Sequence, residues 1–154
     1  MSTTARSTSM TTTTLQKTAA AIGAVFLLVG ILGFVPGITS HYSDLELAGH
    51  HSGAKLLGIF EVSILHNVVH VLFGVAGLAM ARAWQSARTY LLGGGAIYLV
   101  LFVYGLVVDE KSKANFVPLN TADNWLHLLL GLGMIVLGLL LSRDRDAHRH
   151  GTTV

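Results

Sequence analysis

Four long apolar segments alternate with polar stretches along the chain. They cover residues 18–38, 54–81, 89–108 and 123–142, and each holds at least roughly the 20 residues that a helix needs to cross a bilayer. Polar connections follow the first and third segments, and a short basic turn follows the second. This alternation predicts an all-α, polytopic membrane protein that folds as an antiparallel four-helix transmembrane bundle, with residues 15–142 as its membrane domain.

The two ends of the chain lie outside this predicted membrane domain. Residues 1–14 are rich in Ser and Thr and show no apolar periodicity, which is typical of a disordered tail. Residues 143–154 form a second, charged tail. Most of the Lys and Arg lie near the two termini and in the middle turn: Arg6, Lys17, Arg82, Arg88, Arg143, Arg145 and Arg149. Because basic loops stay on the cytoplasmic side, we expect a multi-pass protein of the cell membrane with both termini in the cytoplasm and connections 38–53 and 109–122 outside.

Composition supports a membrane location and narrows the chemistry. The 154 residues are 52% hydrophobic and only 12% charged, which is too apolar for a soluble domain of this size. The chain has no Cys, so disulfides, thiolate ligands and iron–sulfur clusters are excluded. Its Lys and Arg do not cluster, so nothing indicates binding to nucleic acid. The expected partners are the bilayer and either further copies of the chain or another membrane protein.

Polar side chains in the second and fourth segments require a separate explanation. One side of the second predicted helix carries Ser63, His66, Asn67, His70, Phe73, Gly74 and Gly77. Glu61 lies nearer the helix start and points elsewhere. The fourth predicted helix places Asp123, Asn124 and His127 on one face, together with Gly131, Met134 and Gly138. Polar groups at membrane depth are costly and usually functional, and we expect these to lie in the outer half of the bundle.

Glycine spacing predicts which helix faces pack closely. One stripe of the first helix carries residues that recur at intervals of three and four: Gly23, Phe26, Gly30, Gly33 and Gly37. Such a stripe lets a second helix approach. Only the short turn 82–88 separates the second and third segments. We therefore expect those two helices to pack together as a hairpin.

A metal site is the sharpest chemical hypothesis for the polar residues. His66 and His70 are four residues apart, which places two imidazoles one turn apart on a helix. His127 supplies a third nitrogen if the second and fourth helices are neighbours. On this hypothesis the cofactor is a divalent transition metal bound by these three histidines, and its identity is open. Four further side chains are predicted to surround the ligands and orient them: Glu61, Asn67, Asp123 and Asn124.

The same residues allow other interpretations. Buried His, Asn and Ser side chains also hydrogen-bond between membrane helices and hold a bundle together without any ligand. This structural interpretation, in which the protein is an accessory component of the membrane, ranks first. A metal site ranks second. Haem held between two helices, transport and proton transfer follow. No catalytic residue is indicated, and whether the protein is an enzyme stays open.

Two stretches of the sequence resemble a known family. Residues 60–70, with Glu61, His66 and His70, and residues 115–127, which end in Trp125-Leu126-His127, are similar to the two signatures of a bacterial family of four-span membrane proteins. That family is catalogued only as a domain of unknown function. The resemblance covers residues 15–141. It implies the four-helix fold and the same polar positions, and it supplies no activity.

Overall fold

The computed structural model describes residues 12–49 and 51–150, the last seven of them as backbone only. These residues form four α-helices: α1 (Thr14–Leu32), α2 (Ile64–Met80), α3 (Trp84–Val107) and α4 (Thr121–His150). Three helices are long and apolar enough to cross a membrane, namely α1, α3 and the part of α4 that ends at Arg143. Helix α2 is also apolar but has only 17 residues. The described chain is therefore mostly helical, with the character of a membrane protein.

The helix ends differ from the predicted spans at both ends of the chain. Helix α1 begins at Thr14 because Thr13 and Gln16 form a capping box, each side chain accepting a hydrogen bond from the other residue's backbone. The rest of the predicted tail 1–14 lies almost entirely outside the described residues. Helix α4 continues into the predicted tail 143–154 as far as His150, and the last four residues are outside the described part.

The prediction that the second helix begins at residue 54 is wrong. Helix α2 begins ten residues later, at Ile64, where the Ser63 hydroxyl caps it by accepting a hydrogen bond from the His66 backbone. The residues before it belong to a small antiparallel sheet with the order β1 (Thr39–Ser40), β2 (Lys55–Leu56) and β3 (Phe60–Glu61). This sheet is the one departure from the predicted all-α fold within the described residues.

The turn between β2 and β3 explains why the helix starts late. Leu57 and Gly58 have φ angles of 54° and 73°, and this left-handed conformation cannot continue a right-handed helix. The apolar side chains on either side of this turn are buried by the first helix and not by a membrane. Leu56 and Val62 pack against the end of α1, where they contact a group that includes Val29. Hydropathy alone cannot separate such a packed hairpin from a membrane span.

The helices pack mainly in two pairs, α1 with α2 and α3 with α4. A Cβ atom on Gly23 would lie 2.8 Å from the Leu78 backbone nitrogen, and one on Gly95 would lie 2.8 Å from the Gly131 carbonyl oxygen. Only glycine permits such close approach of two backbones. The prediction that the second and third helices form the packed hairpin is therefore wrong, because α2 packs mainly against α1 and α3 mainly against α4.

Aromatic side chains join the two helix pairs at the centre. Phe26 of α1 stacks on Tyr98 of α3, with ring centroids 5.2 Å apart and planes 15° apart. Phe73 of α2 contacts both rings edge-on, at 5.0 Å and 5.7 Å. All three belong to, or pack against, the main hydrophobic core. This aromatic layer contacts the polar residues of α2 and α4 through His70 and His127.

Candidate functional site

Helices α2 and α4 both turn polar side chains toward the interior. Ser63, Asn67 and His70 of α2 are buried, and His66 is half-buried. Asp123, Asn124 and His127 of α4 are buried as well. These polar side chains therefore lie on the buried sides of the two helices.

Three histidines line one cavity of about 310 Å³. We call it the imidazole cavity, and its lining comprises Leu65, His66, Val69, His70, Tyr98, Leu101, Phe116, Val117 and His127. Helix α2 supplies four of these residues, α3 supplies two, α4 supplies one, and the connection before α4 supplies two. The lining contains no Asp, Glu, Lys or Arg. Apart from its imidazoles and one phenol, the cavity has apolar walls.

The imidazole rings are arranged as flat walls. His66 and His70 stack with centroids 4.5 Å apart and planes 22° apart. His127 lies against Tyr98, with centroids 5.2 Å apart. His70 also meets Phe26 of the aromatic layer edge-on at 5.5 Å. Ring contacts therefore hold all three histidines in place.

Hydrogen bonds do not hold these rings. The Nδ1 atoms of His66, His70 and His127 are buried, and none has a hydrogen-bond partner among the described residues. A buried polar atom without a partner costs about 1–3 kcal/mol. Asn67 Nδ2, the Tyr90 hydroxyl and Asn124 Oδ1 also lack partners, but none of these residues lines the cavity. Each of the three histidines that line the imidazole cavity thus carries one unpartnered nitrogen, which is buried in the wall of the cavity and not open to its interior.

The predicted metal site is not preformed in the described part of the chain. No group of three or more His, Cys, Asp or Glu side chains there is arranged to hold a metal ion. His66 and His70 stack face to face, whereas metal ligands direct ring nitrogens at one point roughly 2 Å away. Binding by His66, His70 and His127 would require these rings to turn, and it stays a prediction.

Two of the residues predicted to orient the histidines have another role. Asp123 Oδ2 accepts hydrogen bonds from the backbone nitrogens of Glu61, at 3.1 Å, and Asn120, at 3.0 Å. Asn124 Nδ2 donates to the Gly105 carbonyl at 2.9 Å. These bonds fasten the start of α4 to β3 and to the end of α3. Asn67 instead packs its amide against Gly33 of α1.

Glu61 lies beside this network and outside the helices. It is half-buried in β3. Burial raises the pKa of its carboxyl above the ordinary glutamate value, the Lys55 ammonium partly offsets this shift, and the Glu110 carboxylate adds to it. Glu61 does not line the imidazole cavity and lies in the small sheet beside it.

Sequence reasoning missed several residues of the cavity. Tyr98 has no predicted role, although its ring contacts His127. Phe116 and Val117 were placed in an outer loop and given no role, yet both line the cavity. Their signal is an apolar pair within an otherwise polar connection, directly before Pro118. Such a pair indicates that the connection folds back onto the helices.

Comparisons with known proteins assign a family and no activity. Curated proteins and solved structures gave no match to this chain. A family model described as "Domain of unknown function (DUF4383)" matches residues 16–140. That range contains all four helix cores, the small sheet and every residue that lines the imidazole cavity. The chain therefore belongs to the DUF4383 family.

Proposed function

We propose that all four helices cross the bilayer in an antiparallel arrangement, with both termini in the cytoplasm. Gly23 lies beside Leu78, and Gly30 further along α1 lies beside Val71, earlier in α2. This order supports opposite directions for α1 and α2. With its 17 residues, α2 is roughly 26 Å long, slightly less than a typical hydrocarbon core, and local thinning accommodates such a difference.

Contacts at one end of the bundle support the proposed orientation. Gln16 Nε2 donates hydrogen bonds to the Ala81 and Arg82 carbonyls, both at 3.1 Å. The start of α1 and the end of α2 therefore share one side, which also carries Lys17 and Arg82. The positive-inside rule favours the cytoplasm for that side.

We further propose that the protein binds a small ligand in the imidazole cavity. The observation that carries this proposal is the set of three buried imidazoles without hydrogen-bond partners around one space. Histidines that served only to hold helices together would be expected to hydrogen-bond across the bundle. Each of these nitrogens is closed off from the cavity, so a bound ligand gains them as partners when the rings turn toward it, and this offsets about 1–3 kcal/mol for each.

The cavity walls favour an organic ligand over a metal ion or haem. Binding pockets for small molecules are mostly apolar, with a few polar groups that fix orientation, and begin near roughly 300 Å³. The imidazole cavity, at about 310 Å³, matches that description. A metal ion would require the three imidazole rings to turn until their nitrogens point at one position. A haem, with its four pyrrole rings, is large for this volume. The alternative is an accessory role without any ligand, and the experiment must distinguish it from ligand binding.

The experiment compares what copurifies with the wild type and with variants that lose imidazoles. His70→Phe and His127→Phe keep a flat ring and remove its nitrogens. His41→Asn is the matched control, because His41 is exposed outside the cavity at φ 50° and Asn tolerates that conformation. Each protein is extracted in nanodiscs of native lipid and analysed by organic extraction with mass spectrometry and by metal analysis.

We expect one compound that is enriched on the wild type and the His41→Asn control and depleted from both Phe variants. A transition metal with the same pattern would establish the metal hypothesis instead. Wild type and variants with equal contents and unchanged stability would favour the accessory role.

A further inference from the structure

We infer that the ligand is a lipid-soluble molecule with one substituted aromatic ring that carries oxygen, a phenol or a quinone, and that it enters the imidazole cavity from the bilayer. This inference rests on the proposed binding function and adds the class of ligand and its route. Four features of the cavity support it: volume, wall shape, polar groups and mouth.

Volume limits the ligand to about one ring. A protein cavity of roughly 150 Å³ lined by apolar side chains accepts benzene. The imidazole cavity holds about 310 Å³, twice that space. The space inside therefore accommodates a substituted ring, and longer substituents extend through the mouth.

The walls favour a flat ring. The stacked pair His66 and His70, with planes 22° apart, forms one wall, and His127 beside Tyr98 adds two further rings. Aromatic rings pair well with other rings in offset and edge-on contacts, and each contact adds about 0.5–1.5 kcal/mol to the energy of burial alone. A branched aliphatic ligand makes fewer such contacts.

The polar groups favour oxygen on that ring. A neutral imidazole donates a hydrogen bond from one nitrogen and accepts one at the other. His70 is 9% exposed and His127 3% exposed, so water does not satisfy their nitrogens, and a ligand with oxygen satisfies them once the rings turn toward it. A phenol hydroxyl can donate or accept, and a quinone carbonyl can accept. The lining has no charged side chain, which disfavours a carboxylate or an ammonium group on the ligand.

The mouth of the cavity faces lipid in the proposed topology. Three apolar lining residues are well exposed: Leu65 by 38%, Val69 by 50% and Phe116 by 56%. Leu65 and Val69 are one turn apart on the outward side of α2. The exposed, apolar side of α2 meets lipid, so a ligand dissolved in the bilayer reaches the cavity at the outer boundary of the membrane, between α2 and the connection that carries Phe116.

The test uses three probes with one carbon skeleton: tetramethylbenzoquinone, its quinol and tetramethylbenzene. The fully substituted ring leaves the quinone no open position for addition of a protein nucleophile. Affinity for the protein in phosphatidylcholine nanodiscs is measured by isothermal titration against empty nanodiscs, and association rates are measured by stopped-flow mixing. The proteins are the wild type, His70→Phe, His127→Phe, the control His41→Asn, and Val69→Trp, which fills the mouth.

We expect the quinone or the quinol to bind at least tenfold more tightly than tetramethylbenzene. His127→Phe or His70→Phe should remove that preference while tetramethylbenzene still binds, which shows that the cavity remains folded. Val69→Trp should slow association at least fivefold. Equal affinity for all three probes would overturn the requirement for oxygen, and an unchanged association rate in Val69→Trp would overturn the lateral route.

Failure of this inference is distinguishable from failure of the proposed function. If no probe binds but the native-lipid sample carries a compound that the Phe variants lose, the binding function stands and the ligand class is wrong. If no probe binds and the native-lipid sample is empty, both are wrong.

Discussion

Two groups of polar side chains lie within two turns of one another at the start of α4, and they differ in how they are satisfied. Asp123 accepts two backbone hydrogen bonds, and Asn124 donates one to Gly105. One turn further on, His127 joins His66 and His70, whose Nδ1 atoms have no partner in the described structure. Both groups are buried, so burial does not distinguish a structural role from a binding role. The presence or absence of hydrogen-bond partners does distinguish them.

The comparison predicts opposite effects on stability, and the largest is expected in the first group. Asp123→Ala leaves the Glu61 and Asn120 backbone nitrogens without their acceptor. We expect the free energy of unfolding to fall by about 2–4 kcal/mol, since each unsatisfied buried group costs about 1–3 kcal/mol. Chemical unfolding in detergent, followed by circular dichroism, measures the change. Asp123→Asn retains one carboxamide oxygen and should lose less; an equal loss in both would point to charge instead of hydrogen bonding.

The second group should respond in the other direction. His127→Phe replaces a buried, unpartnered nitrogen by carbon and retains a ring against Tyr98. We expect the ligand-free variant to be as stable as the wild type or more stable by about 1 kcal/mol, measured in the same unfolding experiment after ligand extraction. A loss above about 2 kcal/mol would show that His127 has a structural partner, which would remove the contrast between the two groups.

Asn124 tests the boundary between the groups, because its amide nitrogen is bonded and its Oδ1 is not. Asn124→Ala loses the bond to Gly105, and we expect a decrease of about 0.5–1.5 kcal/mol in the free energy of unfolding. The neighbouring Trp125 is 61% exposed, so Trp125→Phe serves as the control and should leave stability unchanged. Loss of ligand binding in Asn124→Ala with unchanged stability would move Asn124 into the second group.

The smallest effect concerns Glu61 at the edge of the first group. Because the folded protein raises the pKa of this carboxyl, the folded state holds the proton more tightly than the unfolded chain does. Its contribution to stability is therefore fully present below the ordinary glutamate pKa and is lost as the pH rises through the raised value. Unfolding measured across that interval should show this slope in the wild type and a flatter profile in Glu61→Gln. Identical profiles would contradict the raised pKa.

Helix faces were predictable because one helix obeys a single periodicity. The spacing of Asp123, His127 and Gly131 places them on one side of α4, and all three are buried. The polar face of α2 follows from the same rule. Neither prediction needed a neighbouring helix.

Features that depend on tertiary contacts were not predictable in this way. The sheet before α2 depends on the left-handed turn at Leu57 and Gly58, which lies within an apolar run that is otherwise typical of a span. Glycine stripes indicate close packing but do not name the partner, so the pairing of α2 with α1 was missed. The folding of Phe116 onto the cavity and the unpartnered state of the histidines depend on the three-dimensional arrangement alone.

The most direct test of ligand binding at the three histidines is nitrogen NMR of the protein labelled with ¹⁵N-histidine, in native-lipid nanodiscs before and after small molecules are extracted. Resonances are assigned with His66→Phe, His70→Phe, His127→Phe and His41→Asn. We predict that extraction shifts ring-nitrogen signals of the cavity histidines and that adding back the extract restores them, while those of His41 stay constant. Cavity signals that do not respond to extraction or to the returned extract would contradict ligand binding at this site.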